Sequence, residues 1–275
     1  MRIAAIPFWS FNHYSRIRAY AVYPMIPFGP FSLPTGPILA LVAGVFGLEV
    51  AARYGRRLGL DPNQVWNTGL TALVAGLIVA RLWNVFQFWP VYRSEPWLIL
   101  SLRPGGFHLW AGLAAALVGG YLYMLRHALD PAPMAAAFSV GMVAGGVFQA
   151  LSGFLTGSVV GTLSDGPWAL PYFGELRHPV GLYRAGGLLL LWLLLYLPRR
   201  TQPSPFRVVL MALFGYSLLR LFTDAFVEYA ALVGSFRLSQ ILALATALVT
   251  SLLLARGSRA VDYTALAGEG DSPAV

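Results

Sequence analysis

The sequence predicts an all-α integral membrane protein of seven transmembrane helices, N-terminus outside and C-terminus inside, with a long outer loop between the fourth and fifth helices. Three observations carry this expectation. Hydrophobic residues make up 57% of the 275 and charged residues only 11%, whereas a soluble domain carries roughly a quarter charged to cover its core. Seven apolar stretches reach or approach the roughly 20 residues a helix needs to cross a bilayer. The arginines mostly flank those stretches, as membrane borders do.

In chain order the predicted spans are 34–52, 65–89, 107–125, 133–155, 182–197, 206–222 and 238–255. Residues 1–33 are rich in aromatics and proline, carry Arg2, Arg16 and Arg18, and read as an interfacial arm. They hold no apolar core ending in a small-residue cleavage site, so a signal peptide is not expected. The membrane domain is assigned to 34–258, and 259–275 to a short polar tail expected to be disordered.

Arginine placement sets the expected orientation. Arg53, Arg56 and Arg57 follow the first span, Arg126 the third, Arg199, Arg200 and Arg207 the fifth, and Arg256 and Arg259 the seventh. An odd span count puts all of these on one face, the cytoplasmic one. The opposite face keeps Arg93, Arg103, Arg177, Arg184 and Arg237. The connection of about 156–181 then lies outside, where Gly166-Pro167-Trp168 makes a turn with Trp168 at headgroup level. It shows no evident secondary structure, and loops of this length are often functional.

Several function classes are excluded. All 19 basic residues are arginine and the net charge is +8, but they form no basic stripe, so nucleic acid is not an expected partner. The absence of cysteine removes disulfides, thiolate metal sites and a cysteine nucleophile. Four scattered histidines with no i,i+4 pair give no metal site, and no cofactor is expected.

Two arginines fall inside predicted spans, Arg81 in the second and Arg220 in the sixth, both in the outer half of the membrane. A cation at that depth costs about 3 kcal/mol on insertion scales. Each either snorkels to the headgroups as an anchor or joins a shared anion site, since a guanidinium grips phosphate with two parallel hydrogen bonds. Asp224, four residues after Arg220, also allows an i,i+4 ion pair. In the outer loop, Arg177-His178-Pro179 adds a cation and an imidazole on extended backbone. His108 stands at the mouth of the third span after Pro104-Gly105-Gly106, while His13 and His127 read as interfacial.

Arg177-His178-Pro179-Val180-Gly181-Leu182-Tyr183 resembles the Arg-His-Pro-x-x-Leu-Tyr-Glu signature of bacterial prolipoprotein diacylglyceryl transferases. Ala80-Arg81-Leu82, the Gly105-Gly106 turn, Gly166-Pro167-Trp168-Ala169, Arg220 and Ser239-Gln240-Ile241-Leu242 resemble other family motifs in the same order, from about Phe28 to Arg256. The resemblance implies transfer of a diacylglyceryl group from phosphatidylglycerol to a lipoprotein cysteine in the bacterial cytoplasmic (inner) membrane. It implies headgroup contacts from Arg81, Arg177, His178, Tyr183 and Arg220, with Asp224, Gln240 and Trp168 in support. That chemistry needs a base for a thiol of pKa near 8.5 and cations for the phosphate leaving group.

The chain departs from the family at those positions. Trp110 stands where the family's histidine falls, Gly146 where it has an arginine in the fourth helix, Phe154 where it has a glutamate, Thr35 for a tyrosine and Arg184 for the Glu after Leu-Tyr. His108 is the one catalytic candidate left nearby. Three expectations follow. One is a phospholipid-binding member that does not perform the reaction. Another is an active transferase with a relocated site, using His108 and Arg184 on lipoprotein precursors. The last is a structural subunit bound to other membrane subunits.

Overall fold

The computed structural model describes residues 22–29, 31–100, 106–172, 174–197 and 203–269. The expected arm at 1–21, residues 101–105, Arg199–Arg200 and the last residues of the expected tail lie outside the described residues. The elements are β1 (Met25–Phe28), β2 (Phe31–Pro34), α1 (Thr35–Arg57), α2 (Pro62–Gln87) and α3 (Trp89–Ser94). A 3-10 turn (Pro96–Leu100), α4 (Leu109–Arg126), α5 (Pro131–Leu155), β3 (Leu170–Tyr172) and β4 (Glu175–Arg177) come next. The chain then forms α6 (Val180–Tyr196), α7 (Pro205–Thr223), a 3-10 turn (Asp224–Phe226), β5 (Leu232–Val233), β6 (Phe236–Arg237) and α8 (Leu238–Glu269).

Among the described residues six helices are long and apolar enough to cross a membrane: α1, α2, α4, α5, α7 with its 3-10 extension, and α8 over Leu238–Arg256. The protein is therefore a multi-pass helical membrane protein. The expected fifth span, α6, is apolar but 17 residues long, which gives about 26 Å at a rise of 1.5 Å per residue. The expected featureless outer loop is instead built: β3 and β4 form an antiparallel hairpin, and Leu163 bridges to Arg177 and Gly161 to Val227. Strands this short, one holding Pro171, carry too little period-two pattern to be read from sequence.

Two helix starts share one device. Asp61 and Asp130 each precede a proline and accept a backbone N–H two residues on, from Asn63 and Ala132, both at 2.9 Å. Proline at the first helical position supplies no N–H that would need a partner, and its fixed φ suits a helix.

The chain divides into two compact units, the first Met1–Val45, Val143–Leu197 and Leu210–Val275, the second Phe46–Met142 and Pro198–Val209. The second is closed by small residues spaced four apart: Thr68, Ala72, Gly76 and Ala80 on α2 face Gly112, Ala116 and Gly120 on α4. A Cβ on Gly76 would lie 2.9 Å from the Gly112 carbonyl oxygen, so the backbones touch, as they do where membrane helices pack through small residues. Ala51, Ala52, Val65 and Met134 form its buried core. In the first unit Gly181 plays the same part, since a Cβ there would lie 2.5 Å from Phe154 Cβ and 2.9 Å from the Ala150 carbonyl.

Candidate anion site at the end of α7

α7 ends at Thr223, and the chain turns through Asp224–Phe226 with Asp224 buried. A carboxylate that has lost its water needs cationic donors to offset the desolvation. Two arginines supply them. Asp224 Oδ1 accepts from Arg184 Nη2 of α6 at 2.6 Å, and Oδ2 accepts from Arg220 Nη2 and Nε at 2.8 and 3.0 Å. Arg184 Nε also donates to Thr223 Oγ1 at 3.4 Å. Arg237 of β6 approaches from the backbone side, its Nη1 donating to the Asp224 carbonyl at 2.5 Å and to the Val227 carbonyl. Gln240 Nε2 donates to the Leu221 carbonyl at 3.0 Å and so ties α8 to the last turn of α7.

Two guanidinium groups thus meet the carboxylate and a third meets the backbone carbonyl of the same residue, leaving an excess of positive charge. Arg184 is largely buried, whereas the Arg220 side chain keeps 32% of its surface exposed. Arg220 Nη1, Arg184 Nη1 and Arg237 Nη2 hold donors outside these contacts. Guanidinium forks on a dry support are suited to bidentate capture of a phosphate.

The same turn gathers the loop candidates. The Phe226 ring lies 4.6 Å from the His178 ring and 6.1 Å from the Tyr183 ring, and His178 Nδ1 is 3.2 Å from the Tyr183 hydroxyl. The His178 N–H donates to the Thr162 carbonyl at 3.0 Å, and Thr162 N–H to the Phe226 carbonyl at 2.8 Å. Gly161 is the tight point, because a Cβ there would sit 2.0 Å from the His178 carbonyl oxygen. Arg177 is paired with both Glu175 and Glu228, and its Nη1 donates to the Gly161 carbonyl at 3.0 Å. Two carboxylates cancel its charge, and its buried Nε has no hydrogen-bond partner among the described residues. Tyr172 donates to the Phe154 carbonyl at 2.8 Å, stacks on that ring, and burial pushes its phenol pKa up. Trp168 is exposed.

The structure brings Arg220, Asp224, His178 and Tyr183 to one turn, whereas the sequence offered Arg237 only as a loop cation. Its signal was its position three residues before Gln240. The two remaining candidates lie in the second unit. Arg81 donates Nε to the Ile99 carbonyl at 3.0 Å, Nη1 to the Gly106 carbonyl at 2.7 Å, and Nη2 to the Leu98 carbonyl. The rings of Tyr92 and Phe107 flank it, their centroids 5.3 and 5.5 Å from Cζ. His108 is the N-cap of α4, its Nδ1 accepting from the Ala111 N–H at 3.3 Å. The cap uses the one lone pair of a neutral imidazole, so Nε2 carries the proton.

Trp110 is exposed on α4. At Gly146 the Leu188 side chain comes within 3.2 Å of where a Cβ would stand, filling the space into which a longer side chain would project. Phe154 is buried against Tyr172.

Relatives of known name match most of the chain. Proteins named phosphatidylglycerol–prolipoprotein diacylglyceryl transferase from Clostridioides difficile and Finegoldia magna are 25% and 24% identical, over 75% and 76% of this chain and 84% of each relative. One of the same name from Synechococcus elongatus is 26% identical over 80% of this chain and 82% of its own length. The model of the prolipoprotein diacylglyceryl transferase family matches residues 25–256. With a match spanning every helix from α1 into α8, the chain belongs to the prolipoprotein diacylglyceryl transferase family.

Proposed function

We propose that the protein is a membrane-embedded phospholipid-binding member of this family that holds an anionic headgroup, such as that of phosphatidylglycerol, without performing diacylglyceryl transfer. The observation that carries this reading is the buried Asp224, its carboxylate met by Arg184 and Arg220 and its backbone carbonyl by Arg237, which leaves uncancelled positive charge beside a partly exposed guanidinium. Three further features weigh against the reaction. Trp110 offers no base, His108 Nδ1 is engaged in its cap, and Leu188 occupies the space beside Gly146. In this reading the chain has seven spans including α6, the N-terminus outside and the anion site toward the outer leaflet of the bacterial inner membrane.

One observation favours a second reading, an active transferase with a relocated site. Arg184 joins Arg220 on Asp224 and so could supply a phosphate-stabilising cation that Gly146 cannot. One experiment separates the two. Full-length protein is reconstituted in phosphatidylglycerol nanodiscs with a lipobox peptide bearing a free cysteine. Retained phosphatidylglycerol in native mass spectrometry with no diacylglyceryl thioether on the peptide is expected. Thioether formation that is lost on His108→Ala would establish the second reading with His108 as its base, and formation that survives the substitution would establish it with a base other than His108.

A further inference from the structure

We infer that the site at the end of α7 selects a phosphomonoester dianion over a phosphodiester monoanion, an inference that rests on the headgroup reading above. The chemistry is a matter of charge. Arg184 and Arg220 meet the Asp224 carboxylate and Arg237 the backbone carbonyl of the same residue, and no second acid pairs with any of the three among the described residues. The neighbouring acids Glu175 and Glu228 are both committed to Arg177. A phosphodiester carries one negative charge and leaves the cluster cationic. A phosphomonoester, with a second pKa of about 6, carries close to two and neutralises it.

The donors are also more numerous than a diester can use. Asp224 and the turn carbonyls occupy one edge of each guanidinium, and the opposite nitrogens of Arg184, Arg220 and Arg237 remain. A terminal phosphate presents three oxygens to such donors, whereas a phosphodiester presents two unbridged ones. Arg184 is fixed by Thr223 and Asp224 together, so the arrangement is in place before a ligand arrives.

Lipids differing by a single phosphate charge provide the test. Full-length protein is placed in phosphatidylcholine nanodiscs doped at about pH 8, above the second phosphate pKa, with phosphatidic acid or with phosphatidylmethanol. These share acyl chains and a phosphate, and differ in the methyl ester. Retention of phosphatidic acid about tenfold above phosphatidylmethanol is expected, from one more charge in a partly desolvated site. Arg184→Gln should bring the two to parity, and so should Arg237→Gln, with thermal melting showing that each variant is folded. Arg53→Gln, which removes an exposed arginine paired with Glu49, should leave the preference intact. Competition by soluble glycerol phosphate would assign the recognition to the free ester, and failure to compete would assign it to the lipid; both keep the dianion. Equal retention of the two anionic lipids above phosphatidylcholine overturns the inference and leaves the headgroup reading standing. No excess of either over phosphatidylcholine overturns both.

Discussion

Arg184 reaches Asp224 across 40 residues of chain, Nη2 to Oδ1 at 2.6 Å, and this contact draws α6 to the end of α7. The i,i+4 pair from Arg220 is local and would form on an isolated helix, where it is worth only a few tenths of a kcal/mol. Arg184 changes its status. With both carboxylate oxygens taken by guanidinium groups, Asp224 can stay buried, and the cluster becomes a preorganised cationic surface.

Removing the anion from this arrangement should be costly. Asp224→Asn leaves Arg184 and Arg220 facing each other without a counter-charge, and breaking a buried pair in this way costs about 3 kcal/mol. In detergent the melting midpoint should fall by about 5 to 10 °C. A double-mutant cycle with Arg184→Gln should return a coupling of about 1–3 kcal/mol. Additive effects of the two substitutions would mean that the contact contributes nothing.

Helix positions were legible in the sequence because apolar runs announce them. The predicted span 133–155 is observed as Pro131–Leu155, and 206–222 as Pro205–Thr223. The Asp-Pro starts were equally visible in principle, at 61–62 and 130–131. The site was only half legible. Arg220 and Asp224 stand on one helical face and could be paired by spacing, but the approach of Arg184 and Arg237 depends on tertiary folding. Arg81 shows contacts that depth alone does not reveal. Depth in the membrane marked it as a headgroup ligand, yet its donors go to carbonyls of a 3-10 turn whose five residues leave no periodic trace.

Glycines with and without space around them give a paired test of the packing around the 156–181 loop. Gly161→Ala pushes a methyl group into the His178 carbonyl, within 2.0 Å as built, so the 161–163 strand must move off both His178 and Phe226. A loss of about 2 kcal/mol or more is expected, in the range of overpacked cores, together with weakened lipid retention. Gly186 on α6 has nothing within 4 Å of its would-be Cβ. Gly186→Ala should be neutral or stabilising by up to about 1 kcal/mol. Equal melting of the two variants would contradict the packing at Gly161.

His108 should behave as a cap. His108→Ala removes the acceptor for the Ala111 N–H and should cost about 1 kcal/mol, while His108→Asn, a good N-cap residue, should restore most of it. A general base could not be replaced by asparagine. Recovery of stability with Asn, and no change in lipid retention with either variant, is the expected pattern in melting and native mass spectrometry.

The orientation is checked by cysteine labelling in a chain that has no cysteine of its own. Asp165 is exposed in the loop before β3 and suits the outer probe. Gly174 does not, because its φ of +85° in the β3–β4 turn would strain any side chain. A membrane-impermeant maleimide added to intact spheroplasts should label Asp165→Cys and spare Gln202→Cys until the membrane is opened. Labelling of Gln202→Cys alone from outside would reverse the assigned topology.

Arg81 provides the sharpest separation of support from recognition. Its three nitrogens hold the carbonyls of Leu98, Ile99 and Gly106, and its face lies between Tyr92 and Phe107. Lysine cannot reproduce a planar fork that serves three acceptors at once, so Arg81→Lys should resemble Arg81→Gln rather than the parent. Both should lose about 2–3 kcal/mol of stability, since charged donors are removed from partly buried carbonyls. The ratio of anionic to zwitterionic lipid retained, in contrast, should not change in the folded fraction. If Arg81→Gln melted like the parent but lost its preference for anionic lipid, Arg81 would be a headgroup ligand and the carbonyl contacts incidental.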